Sequence, residues 1–153
     1  MSLAAETKPA LTWSVDAFKA FWAKPDPAAL TRVPKVLTED IVGYWPRPIG
    51  TVRGAAAYYK TIESVVTAVP DLSLEVGKHA STGDCTFIRW IATATIDGKT
   101  EHFSGCDRVR TRGGRVRENY IFSDHPFFDK VAERLRQIGG GGGAEKSPAP
   151  AGR

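Results

Sequence analysis

Sulfur is scarce in this chain. Among 153 residues there are two cysteines, Cys85 and Cys106, and one methionine. Two cysteines make no disulfide framework, and we read both as reduced thiols, the pattern of a cytoplasmic protein. Histidine is nearly as rare: His79, His102 and His125 are the full set. No three of His, Cys, Asp and Glu fall at metal-ligand spacing, so no metal is expected. No run approaches the ~18 consecutive apolar residues that a bilayer span needs. The first residues, MSLAAETKPALTWS, lack the charged start and apolar centre of a signal peptide, so no membrane association is expected. Charge of one sign is also in short supply, with a net of only +4.

What charge there is lies close together. Arg108, Arg110, Arg112, Arg115 and Arg117 fall within ten positions. Such a ribbon suits a phosphate or another acidic partner, or a solvated sheet face. No aromatic residues alternate with these arginines as base-stacking surfaces require, so nucleic acid is not the expected partner.

The arginines belong to the most informative stretch, HFSGCDRVRTRGGRVRENYIFSD, His102 to Asp124. It reads as two strands around a Gly113-Gly114 turn. Arg108, Arg110 and Arg112 alternate with Asp107, Val109 and Thr111, and side chains on a strand alternate between faces. Three arginines need a wet face, so Asp107 shares the other one with Val109 and Phe103. The preceding run, TFIRWIATATI from Thr86 to Ile96, is followed by Asp97-Gly98, a two-residue hairpin signal. That register sets Ile88 opposite Asp107, Trp90 opposite Gly105 and Arg89 opposite Cys106. A carboxylate is thereby aimed into an apolar layer with Ile88 and Trp90, and Gly105 leaves room for the indole. The last strand has two registers. A two-residue loop puts Glu118 and Tyr120 on the Asp107 face. A three-residue loop with a bulge slips the register by one and puts Asn119 and Ile121 there instead.

The rest of the chain supplies helices. Ser14 can cap a helix whose Phe18, Phe21 and Trp22 form one stripe, stopped by Pro25 and Pro27. Pro27 opens a short helix closed by Pro34. A short strand runs from Ile41 to Trp45. Ala55, Tyr58, Tyr59, Ile62, Val65, Val66 and Val69 share a face of the clearest helix, which Pro70 stops. Leu72 to His79 alternates as a half-buried strand. Pro126 starts a final helix carrying Phe127, Phe128, Val131 and Leu135 up to Ile138. We expect a flexible leader over residues 1–12, one domain over 13–138 and a disordered Gly/Pro-rich tail over 139–153. Helices followed by consecutive strands imply an α+β fold, with a curved sheet wrapped around the Ala55–Val69 helix and one pocket left open.

In its aromatic first helix, PRPIGTVRGAAAYYKTI, VPDLSLEV and GCDRVRTRGGRVRENYIFSD, the chain from about Val15 to Asp124 resembles the SnoaL-like polyketide cyclases and ketosteroid isomerases of the nuclear transport factor 2-like superfamily. The resemblance implies a cone-shaped, curved antiparallel sheet wrapped around helices, a deep apolar cavity and a homodimer. It also implies acid–base chemistry without a cofactor on a small apolar carbonyl compound. Asp107 matches the acid that holds the enolate oxygen in the isomerases, and Asn119 is favoured over Glu118 as its neighbour. The isomerase base would fall near Trp45 and its tyrosine near Phe18, neither of which carries the needed group. Limonene epoxide hydrolases use an Arg-x-Asp pair where this chain has Arg89 without the aspartate. The expected catalytic set is therefore Asp107 with Asn119 or Glu118. The expected ligand-binding set is Phe18, Trp22, Trp45, Tyr58, Ile88, Trp90 and Tyr120. A non-catalytic ligand-binding or dimerisation module of the same fold is the alternative.

Overall fold

The computed structural model describes residues 12–138. The expected tail, and the leader apart from Thr12, lie outside the described residues. Among those described, no helix is long and apolar enough to cross a membrane.

Helix α1 spans Val15–Ala23, and the Ser14 hydroxyl caps it by accepting from the Ala17 amide at 3.0 Å. Helix α2, Pro27–Leu30, is a single turn capped by Asp26, which accepts from the Ala29 amide at 2.8 Å. A 3-10 turn over Val33–Val36 leads into strand β1, Leu37–Tyr44. The chain then doubles back as β2, Thr51–Arg53, which pairs antiparallel with β1. Three residues are too few to show an alternation, so this strand is invisible in the sequence pattern.

Gly54 turns the chain into α3, Ala55–Ala68, with a φ of 90° that an L side chain rarely adopts. Tyr58, Ile62, Val65, Val66 and Ala68 form the buried face of α3. Four long strands follow: β3 Ser73–Thr82, β4 Cys85–Ile96, β5 Lys99–Arg112 and β6 Arg115–Phe122. Helix α4, Phe127–Ile138, closes the described chain.

The six strands form one curved, unclosed sheet in the order β2-β1-β6-β5-β4-β3. The expected wholly antiparallel sheet needs one correction: β1 runs parallel to β6. About seventy residues of chain, α3 and four strands among them, separate the two, which is ample for the crossover that a parallel pair requires. Between β4 and β5 the register is the one the Asp97-Gly98 turn implies, with Ile88 opposite Asp107 and Trp90 opposite Gly105. Both turn residues have positive φ, as this hairpin type demands.

One face of the sheet carries the core. Ile88, Trp90, Ala92, Ala94 and Ile96 of β4, with Phe103 and Val109 of β5, pack beneath the helices. The other face holds the arginines. Arg108 pairs with Glu118 at 2.7 Å, Arg112 with Asp40 at 2.6 Å, and Arg110 and Arg117 approach Asp84 at 3.8 and 3.5 Å. These arginines thus have carboxylate neighbours within the chain; the Arg112–Asp40 pair is exposed enough to contribute little to stability, while Arg108–Glu118 is part-buried.

Candidate functional site

Four elements converge on one polar spot inside the apolar core. Strand β5 brings Asp107, and β4 brings Trp90 from two residues along the same face. The Trp90 indole can lie there because Gly105, its partner across the strands, has no side chain: a Cβ at Gly105 would collide with the indole ring and sit 2.6 Å from the Phe122 carbonyl oxygen. Strand β6 brings Asn119 and α3 brings Tyr58. All four side chains are buried, Asp107 to 5% exposure.

The position of Asn119 depends on one extra residue. The Gly113-Gly114 loop is of the two-residue kind, not the three-residue loop expected to accompany an inward Asn119, with Arg112 opposite Arg115 and Thr111 opposite Val116. A bulge at Arg117 then slips the register, so Arg110 faces Glu118 and Val109 faces Asn119. Every side chain beyond the bulge changes face relative to unbroken alternation. Asn119 and Ile121 turn inward. Glu118 and Tyr120, which the plain two-residue register would turn inward, lie on the outer face. There Glu118 pairs with Arg108, and Tyr120 lies under the same guanidinium at 5.5 Å. The physical gain is clear: an inward Glu118 would bury a second carboxylate beside Asp107 without a cation to pair it.

The hydrogen bonds define the chemistry. Trp90 Nε1 donates to Asp107 Oδ1 at 2.8 Å, and Asn119 Nδ2 donates to Asp107 Oδ2 at 2.9 Å. The same Asn119 nitrogen donates to the Tyr58 hydroxyl oxygen at 2.9 Å. Burial raises the Asp107 pKa from 3.8 to about 6, against the two hydrogen bonds, which favour the ionised form. At neutral pH Asp107 is therefore mainly a carboxylate with a spare lone pair on each oxygen. Burial also pushes the Tyr58 phenol well above its ordinary value, helped by the Asp107 charge and opposed by the bond from Asn119. Tyr58 stays protonated and, because its oxygen accepts from Asn119, its own proton remains to be given. The Cys106 thiol, on the opposite face of β5, is raised by burial and by the Asp107 charge, so it is no ready nucleophile.

These groups border a cavity of about 280 Å³, just below the ~300–1,000 Å³ range of ligand pockets. Phe18, Trp22, Trp45, Tyr58 and Trp90 of the expected ligand-binding set line it, with Asp107 and Asn119. Ile88 is fully buried in the core and is not part of the lining. Tyr120, on the outer face, is 37% exposed. The lining also includes Phe103, Val109 and Ile121 from the sheet and Phe127 and Phe128 from α4. The apolar side of α4 was legible, but its reach to the cavity was not. Exposed Ala17, Ala20 and Arg32 belong to the lining as well, so the cavity meets solvent beside α1 and the turn after α2. Asp107 and Arg32 are the charged lining residues among those described. Two buried polar atoms of lining residues, Asn119 Oδ1 and Trp45 Nε1, have no partner among the described residues. No three His, Cys, Asp or Glu side chains in the described residues cluster as metal ligands would.

The model of the SnoaL-like domain matches residues 15–119, more than half of the chain. The chain belongs to the SnoaL-like family. A comparison with curated proteins finds no match. Solved structures share the fold of this SnoaL-like chain. TerC, co-crystallised with polyporic acid, is similar at 17% identity and a TM-score of 0.64, over 77% of this chain and 97% of that one. A protein with a ketosteroid isomerase-like fold from Catenulispora acidiphila, in complex with trimethylamine, is similar at 18% identity and a TM-score of 0.63, over 77% and 91%. A nuclear transport factor 2-like protein of unknown function from Exiguobacterium is similar at 19% identity and a TM-score of 0.62, over 72% and 97%. At such identities the likeness carries the fold alone: this SnoaL-like chain has the α+β architecture of the nuclear transport factor 2-like and ketosteroid isomerase-like proteins. Function has to be argued from its own site.

Proposed function

We propose that this protein is a cofactor-independent acid–base catalyst of the cyclase, isomerase or dehydratase type, acting on a small hydrophobic carbonyl compound. The observation that carries this reading is a buried carboxylate and a protonated tyrosine hydroxyl, each 2.9 Å from one amide nitrogen, on the wall of an apolar cavity. Asp107 would take a proton from the carbon next to the carbonyl group. The C–H electron pair then moves into the C–C bond and onto the carbonyl oxygen, where Tyr58 donates a hydrogen bond to the developing enolate. In an isomerisation, Asp107 returns the proton to another carbon. In a cyclisation, the enolate carbon attacks a second carbonyl carbon of the same molecule, and the proton goes to that carbonyl's oxygen. A pKa near 6 lets Asp107 be a carboxylate at neutral pH and still hold the proton briefly. The hydroxyl missing at Phe18, where the isomerase resemblance would seek it, is offered from α3 instead.

The test is hydrogen exchange in the ligand itself. Aryl ketones that fit the cavity should exchange their α-protons with deuterated water faster in the presence of the protein, and Asp107→Asn should abolish the acceleration. Absence of acceleration across ketones that demonstrably bind would overturn catalysis. It would leave the second reading, a small-ligand-binding module. That reading is favoured by the fact that both Asp107 oxygens already have protein donors, as a structural acid requires.

The same reading includes a homodimer. Phe87, Ile91, Tyr120 and Phe122 are large apolar side chains exposed on the outer sheet face, and Tyr120 stacks between Tyr44 and Phe122. An apolar patch of this kind, bordered by arginines that can lie on a partner's aromatic rings, fits a second copy of the chain.

A further inference from the structure

The Asn119 amide is used on one side only. Both N–H bonds of Nδ2 are engaged, one with Asp107 Oδ2 and one with the Tyr58 oxygen, while Oδ1 is buried without a partner among the described residues. Half a turn of the amide exchanges the two atoms. Oδ1 would then face Asp107 and Tyr58. Against an ionised Asp107 that orientation is repulsive. Against a protonated Asp107 it is the better one, because Oδ1 has two lone pairs and can accept both the Asp107 proton and the Tyr58 proton. The present orientation, by contrast, offers N–H to a protonated carboxyl whose own proton finds no acceptor there. Each protonation state of Asp107 thus selects one amide orientation.

The two orientations treat Tyr58 oppositely. With Asp107 ionised, the Tyr58 oxygen accepts from Nδ2 and its proton is free for the cavity. With Asp107 protonated, Asn119 Oδ1 captures that proton. We propose that Asn119 is a positioning residue that couples the direction of the Tyr58 hydroxyl proton to the ionisation of Asp107, so that one proton loss readies both the base and the carbonyl donor. The coupling rests on the acid–base reading above but is a property of the empty cavity. Few groups compete with it. Trp90 from β4, Trp45 after β1, and Phe127 and Phe128 from α4 line the same cavity, and none of them titrates. Arg32 lines the cavity from the exposed turn after α2, and Arg108, Glu118 and Cys106 lie on the other face of the sheet.

The probe is 2-acetylnaphthalene, labelled with ¹³C at the carbonyl and read by infrared spectroscopy when bound to the full chain. At about pH 8 its carbonyl stretch should be lowered relative to the Tyr58→Phe variant, and at about pH 5 the two should coincide, because Asp107 titrates between these values. Its affinity relative to 2-ethylnaphthalene, which has no acceptor, should rise about tenfold over the same range. Asn119→Leu should keep the lowered stretch at both pH values, since nothing then holds the Tyr58 proton. Asp107→Asn should lose it at both. A wild-type stretch that ignores pH, or a pH response that survives Asn119→Leu, would overturn the coupling; a purely structural Asn119 would change affinity and leave that response in place. Failure of the ketone to bind at any pH would sink the carbonyl-pocket reading instead. The coupling is then decided by NMR of the ligand-free protein. Both Asn119 amide protons should move upfield together on acidification, since both lose their acceptors. Movement of only the proton that faces Asp107 would refute it.

Discussion

Replacing Asp107 by asparagine should stabilise this protein at neutral pH, although it alters the polar centre of the core. Burial lifts Asp107 from 3.8 to about 6, and each pH unit is worth about 1.4 kcal/mol, so the folded state bears roughly 3 kcal/mol for holding the charge at pH 7. The sign follows from proton binding. Between about pH 4 and pH 6 the folded chain binds the Asp107 proton more tightly than the unfolded chain. This contribution is therefore fully present below about pH 4 and is lost as pH rises through about 6. Asparagine never bears the cost. Its oxygen still accepts from Trp90 Nε1, and after half a turn of the Asn119 amide its own amide can donate to Asn119 Oδ1. Urea unfolding of both proteins at about pH 4, 5 and 7.5 gives the difference directly. Asp40 and Asp71, whose pKa values are lowered chiefly by hydrogen bonds from Arg112 and from Thr95, act with the opposite sign but cancel between the two proteins. The variant should gain about 2–3 kcal/mol on the wild type between the acid and neutral measurements. A difference that does not change with pH, or a variant less stable at pH 7.5, would show that Asp107 is not held at a raised pKa.

Other outcomes follow from single contacts. Tyr58→Phe should lower turnover of a carbonyl substrate by about 10²–10³-fold, the usual cost of losing one oxyanion donor, while stability changes by only about 1 kcal/mol because a single hydrogen bond is lost; an unchanged turnover number would remove Tyr58 from the mechanism. Gly105→Ala should cost about 1–3 kcal/mol in urea unfolding and displace the Trp90 indole proton signal, since the new Cβ meets the ring and the Phe122 carbonyl. The wild-type chain should scatter light as a dimer at micromolar concentration and Phe122→Glu as a monomer of similar melting temperature; a monomeric wild type would refute the outer-face interface.

Much of this protein is local enough to be read along the chain. A β-strand repeats every two residues and an Asp-Gly turn has one register, so the pairing of Ile88 with Asp107 and of Trp90 with Gly105, and the burial of Asp107, follow from residue order. The face of α3 that buries Tyr58 follows from its helical spacing, and the cap at Ser14 from residue type. What the tertiary structure decided is whatever depends on groups distant in sequence. Strand β2 exists because β1 offers an edge to pair with, and β1 itself lies parallel to β6, some seventy residues away. The partner of Asp107 turns on one bulged residue, Arg117. Alternation continues equally well with or without a bulge. The choice is made by energies summed over the folded sheet: Glu118 finds Arg108 outside and escapes burial beside another carboxylate, while Asn119 brings donors inward. The meeting of Asn119 with Tyr58, 61 positions apart, exists only once α3 lies across the sheet.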